Sequence, residues 1–129
     1  MDKAISYLRI LFHILTLLLI ILSLYPGSIL GFLFYGDFKL QPQITKDFLY
    51  ISSQHLYVYF LISALGFFSY LRDRKFKLVV TYLFFLSIIL EVAHLIILER
   101  SFQIVDLTGN ILGVLIAYTI VVIYKYWRK

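Results

Sequence analysis

The sequence predicts an all-α fold, an integral membrane four-helix bundle with a polar pocket on its outer side. Three observations carry that expectation. Of the 129 residues 62% are hydrophobic and 15% charged, and the mean hydropathy is +0.93, so most of the surface must meet lipid rather than water. Four segments approach the roughly 20 mostly apolar residues that a membrane-crossing helix needs. The few polar side chains within the apolar runs are concentrated, above all in "EVAHLIILERSFQIVDLTGNILG", residues 91–113. A chain of this length is read as a single domain, 1–129.

The spans are expected at about 5–25, 53–71, 78–98 and 104–124. They are helices, because open strands leave backbone groups unpaired in hydrocarbon and a closed barrel needs more strands than this chain supplies. The first run follows Lys3 and contains Arg9, as a secretion signal might be arranged, but no small-x-small cleavage pattern follows it and Pro26 comes at once, so it is read as an uncleaved helix. Between the first two spans, "ILGFLFYG" is apolar but too short to cross. Pro26, Gly27, Gly31, Gly36 and Pro42 argue against one continuous helix there.

Charge orients the spans. Nine of the twelve Lys and Arg residues fall in three clusters: Lys3 and Arg9, then Arg72, Arg74, Lys75 and Lys77, then Lys125, Arg128 and Lys129. The positive-inside tendency makes these regions, and both termini, cytoplasmic; Lys39, Lys46 and Arg100 remain outside. The net charge of +5 is thereby explained by membrane orientation, and no nucleic acid partner is expected. Tyr25, Tyr50, Tyr70, Tyr124, Tyr126 and Trp127 suit the headgroup level. The absence of cysteine excludes a disulfide framework, a thiolate metal site and a cysteine nucleophile.

Positions three or four apart on a helix share a face. Ser87, Glu91 and His94 form one stripe, His55, Tyr59, Ser63 and Gly66 a second, and Asp106, Asn110, Gly113 and Ala117 a third. His13, Thr16 and Ser23 have compatible spacing on the first span, although His13 reads as a hydrogen-bonded packing residue. Gly109, Gly113 and Ala117 recur every four positions, which lets a neighbouring helix approach closely. Glu91 lies roughly 10 Å below the end of its expected span at 1.5 Å per residue. A carboxylate is costly in hydrocarbon, so Glu91 and Asp106 are expected to face a polar pocket open to the outer surface. Arg100, at the hairpin tip, would offset a carboxylate, with Asp106 as the favoured partner.

"SLYPGS" after the first span, "HLYVYFLISALG" in the second, and Glu91, Arg100, Ser101, Asp106, Asn110 and Gly113 across the hairpin resemble the VanZ-like family, named for a teicoplanin-resistance membrane protein. Ser23, Leu24, Pro26, Gly27, His55 and Tyr59 complete the resemblance, which covers most of the chain in order and spacing. There are two departures from it: Ile51 and Ser52 stand where the family commonly has Asp-Lys, and His94 where it commonly has Gln. The resemblance implies a multi-pass protein of the bacterial cytoplasmic membrane that is associated with the cell envelope and with glycopeptide resistance.

The candidate ligand-binding residues are His55, Tyr59, Glu91, His94, Arg100, Asp106 and Asn110. The favoured reading is recognition of a lipid-linked or cell-wall component, with membrane lipids as the general partner and Arg100 forking onto a phosphate or carboxylate. One alternative is a small membrane enzyme, with Glu91 and His55 or His94 moving protons; Ser63, Ser101 and Thr108 carry no nucleophile signature. Another is a scaffold or subunit whose polar network only holds the helices in register. His55, Glu91, His94 and Asp106 have the chemistry of a metal shell, but His and Glu in membranes also pair simply to satisfy each other. No metal and no cofactor is therefore expected.

The charge distribution makes a direct prediction in this cysteine-free chain. Single cysteines at Asp73 and at Gln43 should label with an impermeant thiol reagent from opposite sides of an oriented membrane. Labelling of both from one side would remove the expected topology.

Overall fold

A computed structural model describes residues 2–129. Five α-helices follow in order: α1 Lys3–Leu24, α2 Ile29–Tyr35, α3 Ser53–Ser69, α4 Phe76–Val92 and α5 Ile104–Trp127. A 3-10 turn, Ala93–Leu95, continues α4. Among the described residues there is no strand, only an isolated antiparallel bridge between Phe48 and Ile51.

Three stretches are long and apolar enough to cross a membrane: Lys3–Leu24, Phe76–Leu95 and Ile104–Trp127. α3 is shorter, at 17 residues. At 1.5 Å per residue it is about 25 Å long, against a hydrocarbon core of about 30 Å. The expected span 53–71 thus ends early, because Tyr70 leaves helical geometry and the chain turns at Asp73. The expected span 78–98 is displaced: α4 starts at Phe76 and helical structure stops at Leu95. Ile96 and Leu98 continue the apolar run but lie in the exposed connection.

α2 begins at Ser28, whose Oγ accepts from the Gly31 N–H at 2.9 Å, and ends at Gly36 in the left-handed region, φ +70°. Gly31 does not break this helix. The carbonyls of Asp37 and Leu40 cross directly over it where a Cβ would sit, while Phe38 stacks on Phe32 with ring centroids 4.4 Å apart.

α3 packs most extensively on α5, and also against α1; α4 packs mainly on α5. The reason is the small-residue stripe. A Cβ on Gly109 would come within 2.6 Å of the Ser52 carbonyl oxygen, and one on Gly113 within 2.6 Å of the Leu56 carbonyl oxygen and 2.8 Å of the Phe60 nitrogen. The backbones of α3 and α5 are therefore nearly in contact. Tyr59, Ile62, Phe67, Leu83, Val114, Ala117 and Val121 fill the core around that seam. α1 is attached more lightly, with only Phe12 and Thr16 buried; Phe12 lies on Gly66. Its opposite face, including Tyr7, Ile10, Ile14, Leu17 and Ile21, is exposed and apolar, as lipid contact requires.

The basic ends of the helices are clasped by Arg9. It donates from Nε to the Ser69 carbonyl at 3.0 Å, pairs with Asp73 at 2.8 Å, and lies 4.3 Å from the Tyr70 ring centroid. The Lys75 backbone N–H and the Arg9 charge hold the Asp73 carboxyl below its ordinary value, against a smaller opposing effect of burial. His13 bonds the Tyr70 hydroxyl at 2.8 Å, the packing role its sequence position suggested.

Gly113→Ala should cost about 1–3 kcal/mol, since the new methyl meets backbone that cannot rotate away. Val122→Leu, on an exposed position of the same helix, should change stability by no more than about 0.5 kcal/mol. Denaturation in detergent checks this; equal midpoints would mean that the α3–α5 seam is not where stability resides.

Candidate functional site

Most of the polar side chains flagged in the sequence meet at the other end, where α1 stops, α3 and α5 start, and α4 passes into the 3-10 turn. The Ser52 N–H donates to the Val105 carbonyl at 3.1 Å, which fixes the start of α3 against the start of α5. His55 and Tyr59 follow one turn apart on α3, and Asp106 and Asn110 one turn apart on α5.

Asn110, 1% exposed, joins three helices. Its Nδ2 donates to the Ser87 carbonyl of α4 at 3.1 Å, and its Oδ1 lies 2.7 Å from Nδ1 of His55 on α3. Because a carbonyl can only accept, the Ser87 contact fixes which way the amide faces. Oδ1 is then the acceptor and His55 Nδ1–H the donor. His55 Nε2 is turned toward Asp106 Oδ2 at 3.7 Å.

Glu91 is 1% exposed. Its Oε1 accepts from the Gln103 N–H at 2.9 Å, the residue that caps α5. Gln103 makes no side-chain capping bond of its own. Glu91 thus does across two helices what a capping-box glutamate does within one. Asp106 lies in the first turn of α5, so both carboxylates sit at the positive end of that helix. Glu91 Oε2 is buried without a hydrogen bond of good geometry and lies 3.3 Å from His94 Nδ1. His94 Nε2 donates to the Ser23 carbonyl at 2.9 Å. With Nε2 carrying a hydrogen, Nδ1 is the ring atom left facing Oε2.

Arg100 does not form the expected pair with Asp106. No carboxylate among the described residues lies within ion-pair distance of it. Its Nη2 donates to the Leu22 carbonyl at 2.8 Å and its Nε to the Tyr25 carbonyl at 3.2 Å. These belong to the last turn and C-cap of α1, whose carbonyls lack partners in the helix and whose dipole end attracts a cation. Glu99, in the left-handed region at φ +62°, turns the chain just before it. Burial pulls the Arg100 pKa below its ordinary value, with the charges of Glu91 and Asp106 acting in the opposite direction.

A cavity of about 160 Å³ opens beside this network. Leu19, Leu22, Ile29 and Val58 form its apolar walls, and Tyr59, His55, His94 and Arg100 contribute polar edges. Four of the seven expected ligand residues therefore line it. Glu91 and Asn110 are buried behind them, and Asp106 is half-buried beside His55. Gln41 and Gln54 also line the cavity and were not anticipated; their amides fall in a connection and at a helix start, where no polar stripe marks them. Of the four residues with metal-shell chemistry, His55, Glu91 and Asp106 offer ligand atoms within 4.8 Å of one another, whereas His94 is engaged with Ser23 and Glu91.

The helices and the polar end define a multi-pass membrane protein with a buried ionisable network. The VanZ/LLP1 family model matches residues 9–125, nearly the whole chain, and the protein belongs to that family. No curated protein and no solved structure matches it.

If Arg100 caps α1, Arg100→Ala should leave the fold intact but fray that helix end. A loss of about 1.5 kcal/mol of charge-assisted bonding corresponds to roughly tenfold faster amide exchange over Ile21–Gly27. Exchange unchanged there would assign Arg100 a different partner.

Proposed function

We propose that this VanZ-family protein crosses the bacterial cytoplasmic membrane four times, with α3 as the fourth span and both termini in the cytoplasm. Its cavity then faces the outer side and recognises an anionic lipid-linked or cell-wall component. The observation that carries this reading is the composition of the cavity. Apolar walls from α1, α2 and α3 run up to an edge bearing Arg100, His55, His94 and Tyr59, a distribution that suits an amphipathic ligand with its head at the polar edge. At about 160 Å³ the cavity holds a headgroup rather than a whole lipid. Val58 and Leu30, both substantially exposed, offer the attached chain an apolar flank. Through such a ligand the protein would act at the cell envelope and contribute to glycopeptide resistance of the teicoplanin type.

One observation favours a second reading, that of a small membrane enzyme. Glu91 Oε2 and His94 Nδ1 lie 3.3 Å apart beside the cavity that His94 lines, two titratable groups of the kind that general acid-base chemistry on a lipid-linked substrate needs. A scaffold, the third possibility, would use the same network for packing alone.

Val58→Trp fills the cavity from an exposed helix position and leaves the network untouched. Purified protein should bind a polyprenyl phosphate, read by native mass spectrometry, and Val58→Trp should reduce that binding at least tenfold at equal folded yield. Conversion of the probe by the wild-type protein would establish the enzyme. Absence of binding by folded wild-type protein, or losses that track folded yield in every variant, would leave the scaffold.

A further inference from the structure

We infer that His55, Glu91 and Asp106 form a binding site for one divalent transition-metal cation, of the zinc or manganese class. Their ligand atoms come from α3, α4 and α5 and lie within 4.8 Å of one another. In a tetrahedral site with ligand bonds of about 2.0–2.2 Å, two donors lie about 3.4 Å apart. His55 Nε2 and Asp106 Oδ2 are close to that spacing at 3.7 Å, and a pair at the 4.8 Å bound would close by rotation of the two side chains. The inference does not depend on which ligand occupies the cavity.

The strongest support is the orientation of His55. Asn110, oriented by the Ser87 carbonyl, accepts from Nδ1 and leaves Nε2 turned toward a carboxylate oxygen of Asp106. At 3.7 Å the two are too far apart for a hydrogen bond. A cation between them would use both as ligand atoms. Metal-ligating histidines usually donate their second ring N–H to an oxygen acceptor, which is the part Asn110 plays.

The second support is Glu91, 1% exposed, whose Oε2 has no hydrogen bond of good geometry and lies 3.3 Å from His94 Nδ1. It shares a poorly solvated site with Asp106, and like charges there are unfavourable. Arg100 is engaged with the carbonyls of α1 and bonds neither of them. One divalent cation would balance two carboxylates. One imidazole with two carboxylates favours zinc, manganese or ferrous iron over calcium or magnesium, which seldom take nitrogen. Three protein ligands leave a coordination position open, and His55 borders the cavity from which it could be reached.

The test uses the full chain in detergent, stripped with a chelator and returned to zinc, manganese or cobalt. Wild-type protein should retain one metal per chain by elemental analysis, and cobalt should give the visible absorption of a bound ion. Asp106→Asn and His55→Ala should weaken binding at least tenfold, and Asn110→Ala by about 10–100-fold through the released imidazole. His13→Ala, midway along α1 where its partner is Tyr70 at the far end of α3, should bind like wild type. Absence of retained metal and of cobalt absorption in the folded wild-type protein would overturn the site, whatever the variants do. So would binding that His55→Ala and Asp106→Asn leave unchanged, or that His13→Ala abolishes.

Discussion

Contact between the backbones of α3 and α5 is the constraint on which the rest of the structure depends. It exists because Gly109 and Gly113 present no side chain where Ser52, Leu56 and Phe60 pass. With the two helices that close, His55 reaches Asn110 across the seam, and Asn110 reaches on to Ser87 of α4. A wider spacing would leave a half-buried imidazole and a buried amide without partners, and orphaned polar groups are expensive wherever water is excluded. The polar network is thus a consequence of the glycine seam. Its chemistry is delivered by residues that have no chemistry of their own.

Helical position was legible in the sequence wherever side chains meet side chains. The three-residue spacing of Glu91 and His94 announced their pairing, and the four-residue repeats of His55 with Tyr59 and Asp106 with Asn110 announced facing stripes. The small-residue repeat at 109, 113 and 117 announced the close approach. Partners that are backbone groups leave no such trace. Arg100 was assigned to Asp106 because a carboxylate is visible as a residue, whereas the free carbonyls at the end of α1 exist only once that helix has stopped. The Gln103 N–H that engages Glu91 is equally silent.

Span boundaries failed for a related reason. Hydropathy measures how greasy a run is and is blind to where its backbone turns. Ile96 and Leu98 extend the apolar run of α4, yet the chain has left the helix and both are exposed. Between the first two spans no continuous helix forms, as the glycines and prolines there suggested, but Gly31 itself lies inside α2, where the carbonyls of Asp37 and Leu40 require a position without a Cβ. The conformational freedom of glycine and its small size are separate properties, and only the tertiary structure says which one is being used.

α1 is held in an unusual way for a helix of 22 residues. It buries only two of them, and specific polar bonds fix it near its two ends, through Arg9 to α3 and the following turn and through Arg100 to its own terminal carbonyls. Leu19, Leu22 and Ser23 of this helix are also one wall of the cavity. The wall therefore has the character of a shutter latched at top and bottom over a shallow seam. The guanidinium bonds near its two ends act together with the His13–Tyr70 and His94–Ser23 bonds and with the packing of Phe12 on Gly66 to keep that wall in place.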